Sequence, residues 1–180
     1  TGTIMAAVES VLARKKDLSG KRIVVTAGGT REPIDPVRHI GNRSSGKMGY
    51  AIAEAARDRG AEVILITAPV ALPQPCGMEI IGINTVAELK SAVYEKTRNA
   101  DVLVMAAAVS DFRLAAPSNH KIKKQGEKLI LELVPNEDFL PGLPDTLVKV
   151  GFAAESEDLV PNAQRKLAEK RLDFIVANDI

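Results

Sequence analysis

The chain has 180 residues, 46% hydrophobic and 26% charged, enough to bury a core without disulfides or a structural metal. One cysteine and two histidines exclude an internal disulfide and the usual four-ligand zinc site, and they point to a reducing compartment. A net charge of +1, 3% aromatic residues and no tryptophan argue against a nucleic-acid platform or a membrane surface as partner.

The N-terminus lacks a signal-peptide pattern and no apolar run reaches the length of a membrane-crossing helix, so the expected location is the cytoplasm. Residues 1–20 place Ile4, Val8, Val11 and Leu12 on one face of an amphipathic helix, followed by Arg14, Lys15 and Lys16. This segment reads as a linker from a longer protein. The apolar run Ile23, Val24 and Val25 predicts a first strand, and Thr26 to Thr30, with Gly28 and Gly29, a ligand loop at its end. Ser44 or Ser45 caps a helix to about Arg59, with Met48, Ile52, Ala55 and Ala56 at helical spacing and Gly60 as its stop. Val63 to Ile66 is a buried strand, and residues 68–77 are a loop carrying Pro69, Pro73, Pro75 and Cys76.

A short strand near Ile80 and Ile81 precedes a capping box, Thr85 with Glu88, that opens a helix to about Arg98. Val102 to Met105, Leu147 to Phe152 and Phe174 to Val176 are further strands, with a helix from about Asp158 to Arg171. Strands this apolar, separated by helices, predict a doubly wound, Rossmann-like α/β fold with a mostly parallel sheet. The stretch from Asp111 to Leu143 breaks the rhythm. There Lys121, Ile122, Lys123 and Lys124, then the alternation Leu129 to Leu133, read as a protruding two-stranded arm around Gly126, spanning about residues 119–135.

The motifs leave several chemistries open. A dinucleotide fingerprint needs G-x-G-x-x-G after the first strand and an acidic residue ending the second, where Thr67 and Ala68 stand. Gly41 to Lys47 satisfies G-x-x-x-x-G-K, yet Met48 replaces the hydroxyl that a P-loop uses for magnesium, and the motif lies far past the strand. What remains is a helix N-terminus of small residues and hydroxyls, which serves either as a phosphate seat or simply as a cap. Tyr50 and Tyr94 lack a lysine four residues on, so a Tyr-x-x-x-Lys dehydrogenase pair is absent. His39 and His120 have no triad spacing, and Cys76 has no basic sequence neighbour to activate it. Ala106, Ala107 and Ala108 leave room for a ligand against backbone, with Asp111 as either ligand or turn cap. Lys121, Lys123 and Lys124 suit a polyphosphate or a solvated face; Lys166 and Lys170 share one helix face, where solubility is the simpler reading.

Taken together, Thr26 to Arg38, Asn42 to Gly49, Ala106 to Phe112, Lys121 to Lys124, Gly151 to Glu155 and Ala177 to Asp179 resemble the phosphopantothenoylcysteine synthetase family, over residues 21–180. The resemblance is strongest to the synthetase half of bifunctional bacterial coenzyme A proteins. It implies that residues 1–20 connect to a fused decarboxylase domain, the only place where FMN would bind. It also implies a ligase that joins 4′-phosphopantothenate to L-cysteine with CTP and Mg2+, through an acyl-cytidylate. By position, Asn42 and Lys121 resemble the catalytic residues. Gly28, Ser45, Gly46, Lys47, Met48, Ala106, Ala107, Asp111, Lys121, Glu137, Asp138, Phe139, Leu140, Phe152, Lys166 and Lys170 match CTP-binding positions. Asn42, Ala107, Ala108 and Asp111 match phosphopantothenate-binding ones, and the arm matches strands of a homodimer. Asn136-Glu137-Asp138 departs from the family's Asn-Pro-Asp. An NAD(P)-binding oxidoreductase and a non-catalytic nucleotide-binding module are the competing readings.

Overall fold

The computed structural model describes residues 16–124, 126, 128–155 and 157–179. The linker helix expected over residues 1–20 lies mostly outside them; its described end, residues 17–20, is a turn. Strand β1 (Arg22–Ala27) is followed by a short hairpin, β2 (Arg31–Pro33) and β3 (His39–Gly41), and by helix α1 (Lys47–Asp58). Then come β4 (Glu62–Thr67), β5 (Glu79–Gly82), α2 (Val86–Lys96), β6 (Val102–Met105), β7 (Phe112–Leu114), β8 (Leu133–Pro135), β9 (Val148–Glu155), α3 (Leu159–Glu169) and β10 (Phe174–Asp179). Six strands form one parallel sheet in the order β10-β9-β6-β1-β4-β5. Renumbered along the chain, these strands stand in the doubly wound order 3-2-1-4-5-6, so the expected fold class is the one found.

Each face of the sheet has its own core, as strands buried on both sides require. Val24, Ile64, Ile66, Leu103 and Met105 pack with Leu89 and Val93 of α2 and with Phe139, Leu140 and Leu172. Val25, Leu65 and Val104 pack on the opposite face with Tyr50, Ala53 and Ala56 of α1. The buried stripe of α1 is therefore rotated from the one expected: Ala56 faces the core, whereas Ala55 is exposed and Met48 keeps 47% of its surface. Neither Ser44 nor Ser45 is the N-cap. Gly46 takes that place at φ 75°, without a side-chain cap, where a Cβ would lie 2.8 Å from Val70 Cγ1. At the other end Gly60, at φ 95°, closes the helix as expected: Gly60 N–H bonds Arg57 O at 2.8 Å and Ala61 N–H bonds Ala56 O at 3.1 Å. In the capping box of α2, Thr85 Oγ1 accepts from Glu88 N–H at 3.2 Å, but Glu88 Oε2 reaches back to Asn84 N–H at 2.6 Å rather than to Thr85.

The arm differs from its expected form. The described parts of 121–132 carry no strand; the ladder is formed by the flanking β7 and β8, antiparallel, with Arg113 opposite Val134. Alternation alone does not show which segment will pair. Cys76 also has a basic neighbour that sequence distance hides. Arg57 Nη1 donates to the Cys76 carbonyl at 2.7 Å and stands 3.9 Å from its Sγ.

Two carboxylates tie the fold to pH. The backbone N–H of Arg22 and the ammonium of Lys21 hold Asp101 below the usual carboxylate range. The Arg38 guanidinium, with the N–H groups of Val37, Ile122 and Arg38, holds Asp35 far below it. Groups with a depressed folded pKa contribute stability above their unfolded pKa, about 3.9 for aspartate, and lose it as pH falls. Thermal scans should give a melting temperature that these two groups leave flat from pH 7 to about 5 and lower progressively below about pH 4. Asp101→Asn should shrink that acid-side fall; an equal fall in the variant would overturn the assignment.

Candidate active site

A cavity of about 870 Å³ opens at the carboxyl ends of β6, β9 and β10, within the size range of small-molecule sites. Its wall comes from residues 42–49, 105–112 and 135–140, with Gly151, Phe152, Ala154, Lys166, Lys170, Leu172 and Asn178. In this fold the crevice lies beside the strand where the order reverses, between β1 and β6. Here the two loops at that point are stitched together: Ala108 N–H donates to Gly28 O at 2.8 Å and Thr30 N–H to Ala108 O at 3.1 Å. The stitching lays Ala106, Ala107 and Ala108 flat along the wall.

Asn42 follows β3 directly, and its Nδ2 donates to Val109 O at 3.1 Å. Gly29 makes this approach possible, because a Cβ there would lie 2.6 Å from Asn42 O. The first turn of α1 brings Lys47, Met48 and Gly49 to the cavity with no acidic residue and, among the described residues, only a 3.5 Å contact from Lys47 N–H to Ser45 Oγ. Helix N–H groups left so are suited to an anion. From the facing side α3 contributes Lys166, whose Nζ donates to Phe152 O at 2.7 Å, and its C-cap Lys170 stands 3.1 Å from Asp138 Oδ2. Glu137 is paired with Lys90 at 2.7 Å. Asp111 is exposed on the rim.

The sequence profile of the DNA/pantothenate metabolism flavoprotein C-terminal domain family matches residues 18–180. The chain belongs to this family. It is 48% identical over 167 residues to the coenzyme A biosynthesis bifunctional protein CoaBC of Bacillus subtilis, covering 91% of this chain and 41% of that protein. The chain thus spans about two fifths of the length of that relative. Among solved structures, it is similar to the C-terminal domain of a coenzyme A biosynthesis bifunctional protein CoaBC, at 41% identity and a TM-score of 0.79 over 89% of this chain and 78% of that one. It is also similar to the DNA/pantothenate metabolism flavoprotein of Streptococcus pneumoniae, at 30% identity and a TM-score of 0.78 over 89% and 82%.

In this member of the DNA/pantothenate metabolism flavoprotein C-terminal family, most residues singled out from sequence meet at one cavity: Asn42, Ser45, Gly46, Lys47, Met48, Ala106, Ala107, Ala108, Asp111, Glu137, Asp138, Phe152, Lys166 and Lys170. Four of the expected positions are placed differently from the rest. Gly28 is buried behind the wall, at φ 79°, with its carbonyl spent on Ala108. Lys121 is exposed on the arm and is not part of the lining. Phe139 and Leu140 line it, but their side chains are 4% and 6% exposed and belong to the core, Phe139 lying 6.4 Å from the Tyr94 ring. Arg43, Phe112 and Asn178, all on the lining, stand within the family motifs but had been given no individual role. Sequence reading also gave Asn136 no role: Asn136 N–H bonds Asp111 O at 2.7 Å and Asn136 Nδ2 bonds Ser110 O at 2.9 Å, so it fixes the Asp111 loop from 25 or 26 residues away. No local pattern marks such a contact.

Proposed function

We propose that this domain ligates 4′-phosphopantothenate to L-cysteine at the expense of CTP, as the resemblance and the coenzyme A relatives suggest. One observation carries the reading: a single cavity joins the free helix N-terminus at Lys47 to Gly49, the cations Lys166 and Lys170, and the amide of Asn42. In the first step a pantothenate carboxylate oxygen attacks the α-phosphorus of CTP, the bond to the β-phosphate oxygen breaks, and pyrophosphate leaves. In the second the cysteine amine attacks the acyl carbonyl, loses a proton, and expels CMP as the amide forms. Lys166 and Lys170 offset the polyphosphate charge, the N–H groups of α1 receive phosphate oxygens, and Asn42 Nδ2 stabilises the oxyanion. No enzyme nucleophile is needed, in keeping with His39, His120 and Cys76, none of which lines the cavity.

Magnesium prefers one or two carboxylates plus substrate phosphates. Asp111 fits that demand, since among the described residues its carboxylate makes no hydrogen bond or ion pair, whereas Asp138 pairs with Lys170 and Glu137 with Lys90. Asp111 would hold the ion against the triphosphate, where it would neutralise charge. Two copies would pair through the arm, whose Leu129 and Ile130 are 53% and 89% exposed. A nicotinamide reading is disfavoured because Gly28 and Gly29 are absent from the lining and Thr67 ends β4 where a ribose-binding acid belongs.

The test is pyrophosphate release from CTP and magnesium without cysteine. Release that depends on 4′-phosphopantothenate and drops in Lys166→Ala is the expected result. Binding of CTP without release would favour a non-catalytic module, and tighter binding of NAD(P) than of CTP would favour the oxidoreductase.

A further inference from the structure

The carboxylate of Asp35 is fully covered, yet it belongs neither to the cavity wall nor to the sheet core. It sits at the tip of the β2–β3 hairpin and collects donors. Oδ1 accepts the N–H groups of Val37 and Arg38, each at 2.9 Å, and Oδ2 accepts Arg38 Nε at 3.0 Å and Arg38 Nη2. The same Oδ2 accepts Ile122 N–H at 3.1 Å, while Arg38 Nη2 donates to Ile122 O at 2.9 Å. The pair thus grips one arm residue by both its main-chain groups. A further main-chain bond, Ser118 N–H to Ile34 O at 2.9 Å, ties the arm four residues earlier.

The gripped residue lies between Lys121 and Lys123, both exposed. The hairpin that supplies the grip is itself fixed at its base, by Arg31 N–H to Asn84 O at 2.7 Å and by Val86 N–H to Glu32 Oε1 at 2.8 Å. Its second strand runs straight from Arg38 through His39–Gly41 into Asn42 on the cavity wall. One short, anchored hairpin therefore connects the lysine segment to the Asn42 amide. Bidentate, charge-assisted contacts of this kind fix geometry as well as affinity.

From this we infer that Asp35 and Arg38 are positioning residues, a clamp that sets where the Lys121–Lys124 segment stands relative to Asn42 and so presents its cations to the β- and γ-phosphates of the nucleotide. The second half of that inference rests on the function proposed above. The clamp itself does not, and the two are read separately.

Asp35→Asn and Arg38→Lys, each of similar size to the original, would be compared with the unaltered chain. Limited trypsin digestion, run at an equal interval below each variant's own melting temperature, reads the clamp alone: cleavage after Lys121, Lys123 and Lys124 should speed up by about tenfold while cleavage elsewhere in the chain keeps its rate. Titration with CTP and with CMP reads the consequence. Affinity for CTP should fall about tenfold and that for CMP should stay unchanged, and the loss should not add to that of Lys121→Ala. Unchanged cleavage in both variants would overturn the clamp. Faster cleavage with CTP and CMP weakened equally would overturn the positioning role, since a general loss of structure acts on both ligands. An unaltered chain that does not distinguish CTP from CMP would sink the triphosphate reading and leave the digestion result to decide the clamp.

Discussion

Asn42→Ala is expected to lower the rate of amide formation by about 100- to 1,000-fold, the usual cost of removing one donor to a developing oxyanion. The side chain stands where the proposed role would need it. It leaves the end of β3 beside Gly29, and its Nδ2 already points at a carbonyl, Val109 O, from which a better acceptor in the cavity can take it. The variant should still release pyrophosphate when cysteine is absent, because activation depends on the phosphate-binding groups rather than on this amide. With cysteine present the acyl-cytidylate should accumulate, measurable by quenching and chromatography. A loss of less than about tenfold in amide formation would remove Asn42 from the oxyanion site.

Gly49→Val should damage the scaffold more than any change at an open glycine. A Cβ at this position would lie 2.6 Å from Ala27 Cβ and 2.7 Å from Thr26 O, both on the central strand β1, so neither neighbour has a flexible end to swing away. Helix α1 must lift off the sheet, opening the contacts of Tyr50, Ala53 and Ala56 with Val25 and Leu65. Overpacking of this kind costs about 1–3 kcal/mol, and contact with backbone places it at the upper end. At roughly 2–4 °C per kcal/mol for a chain of this size, the melting temperature should fall by about 5–10 °C. The same shift moves the N-terminus of α1, so CTP binding should weaken in step. Gly82→Ala is the control, because a Cβ there meets nothing within 4 Å. Equal melting temperatures for the two variants would show that α1 tolerates the displacement.

The central strands β1, β4 and β6 were legible because each is a short apolar run of four to six residues, too short for a typical helix and apolar on both faces as a covered parallel sheet requires. The stop of α1 at Gly60 and the opening of α2 at Thr85 were legible for a similar reason: both caps are made by residues within five positions of each other. Where the expected detail failed, the deciding neighbour was distant in sequence. Gly46 displaced Ser44 and Ser45 as N-cap because Val70, 24 residues on, crowds that corner. Phe139, matched to a CTP-binding position, lines the cavity yet packs in the core, where Tyr94 receives it, the Tyr94 hydroxyl donating to its carbonyl at 3.1 Å.

The family's motifs, read as words in the chain, determined by themselves which residues would gather: Asn42, the glycine turn at Gly46, the alanine wall, Asp111, Lys166 and Lys170. Propensity, periodicity and capping act over a few residues, so the linear order also determined the elements and the fold class. Only the tertiary structure decided how the gathered residues are held. The grip of Asp35 on Ile122 spans 87 residues, that of Asn136 on Ser110 spans 26, and the fit of Gly49 against Thr26 and Ala27 depends on two elements separated by a hairpin. Such contacts are set by close packing and by the demand that buried polar groups find partners, conditions that exist only after the chain has folded.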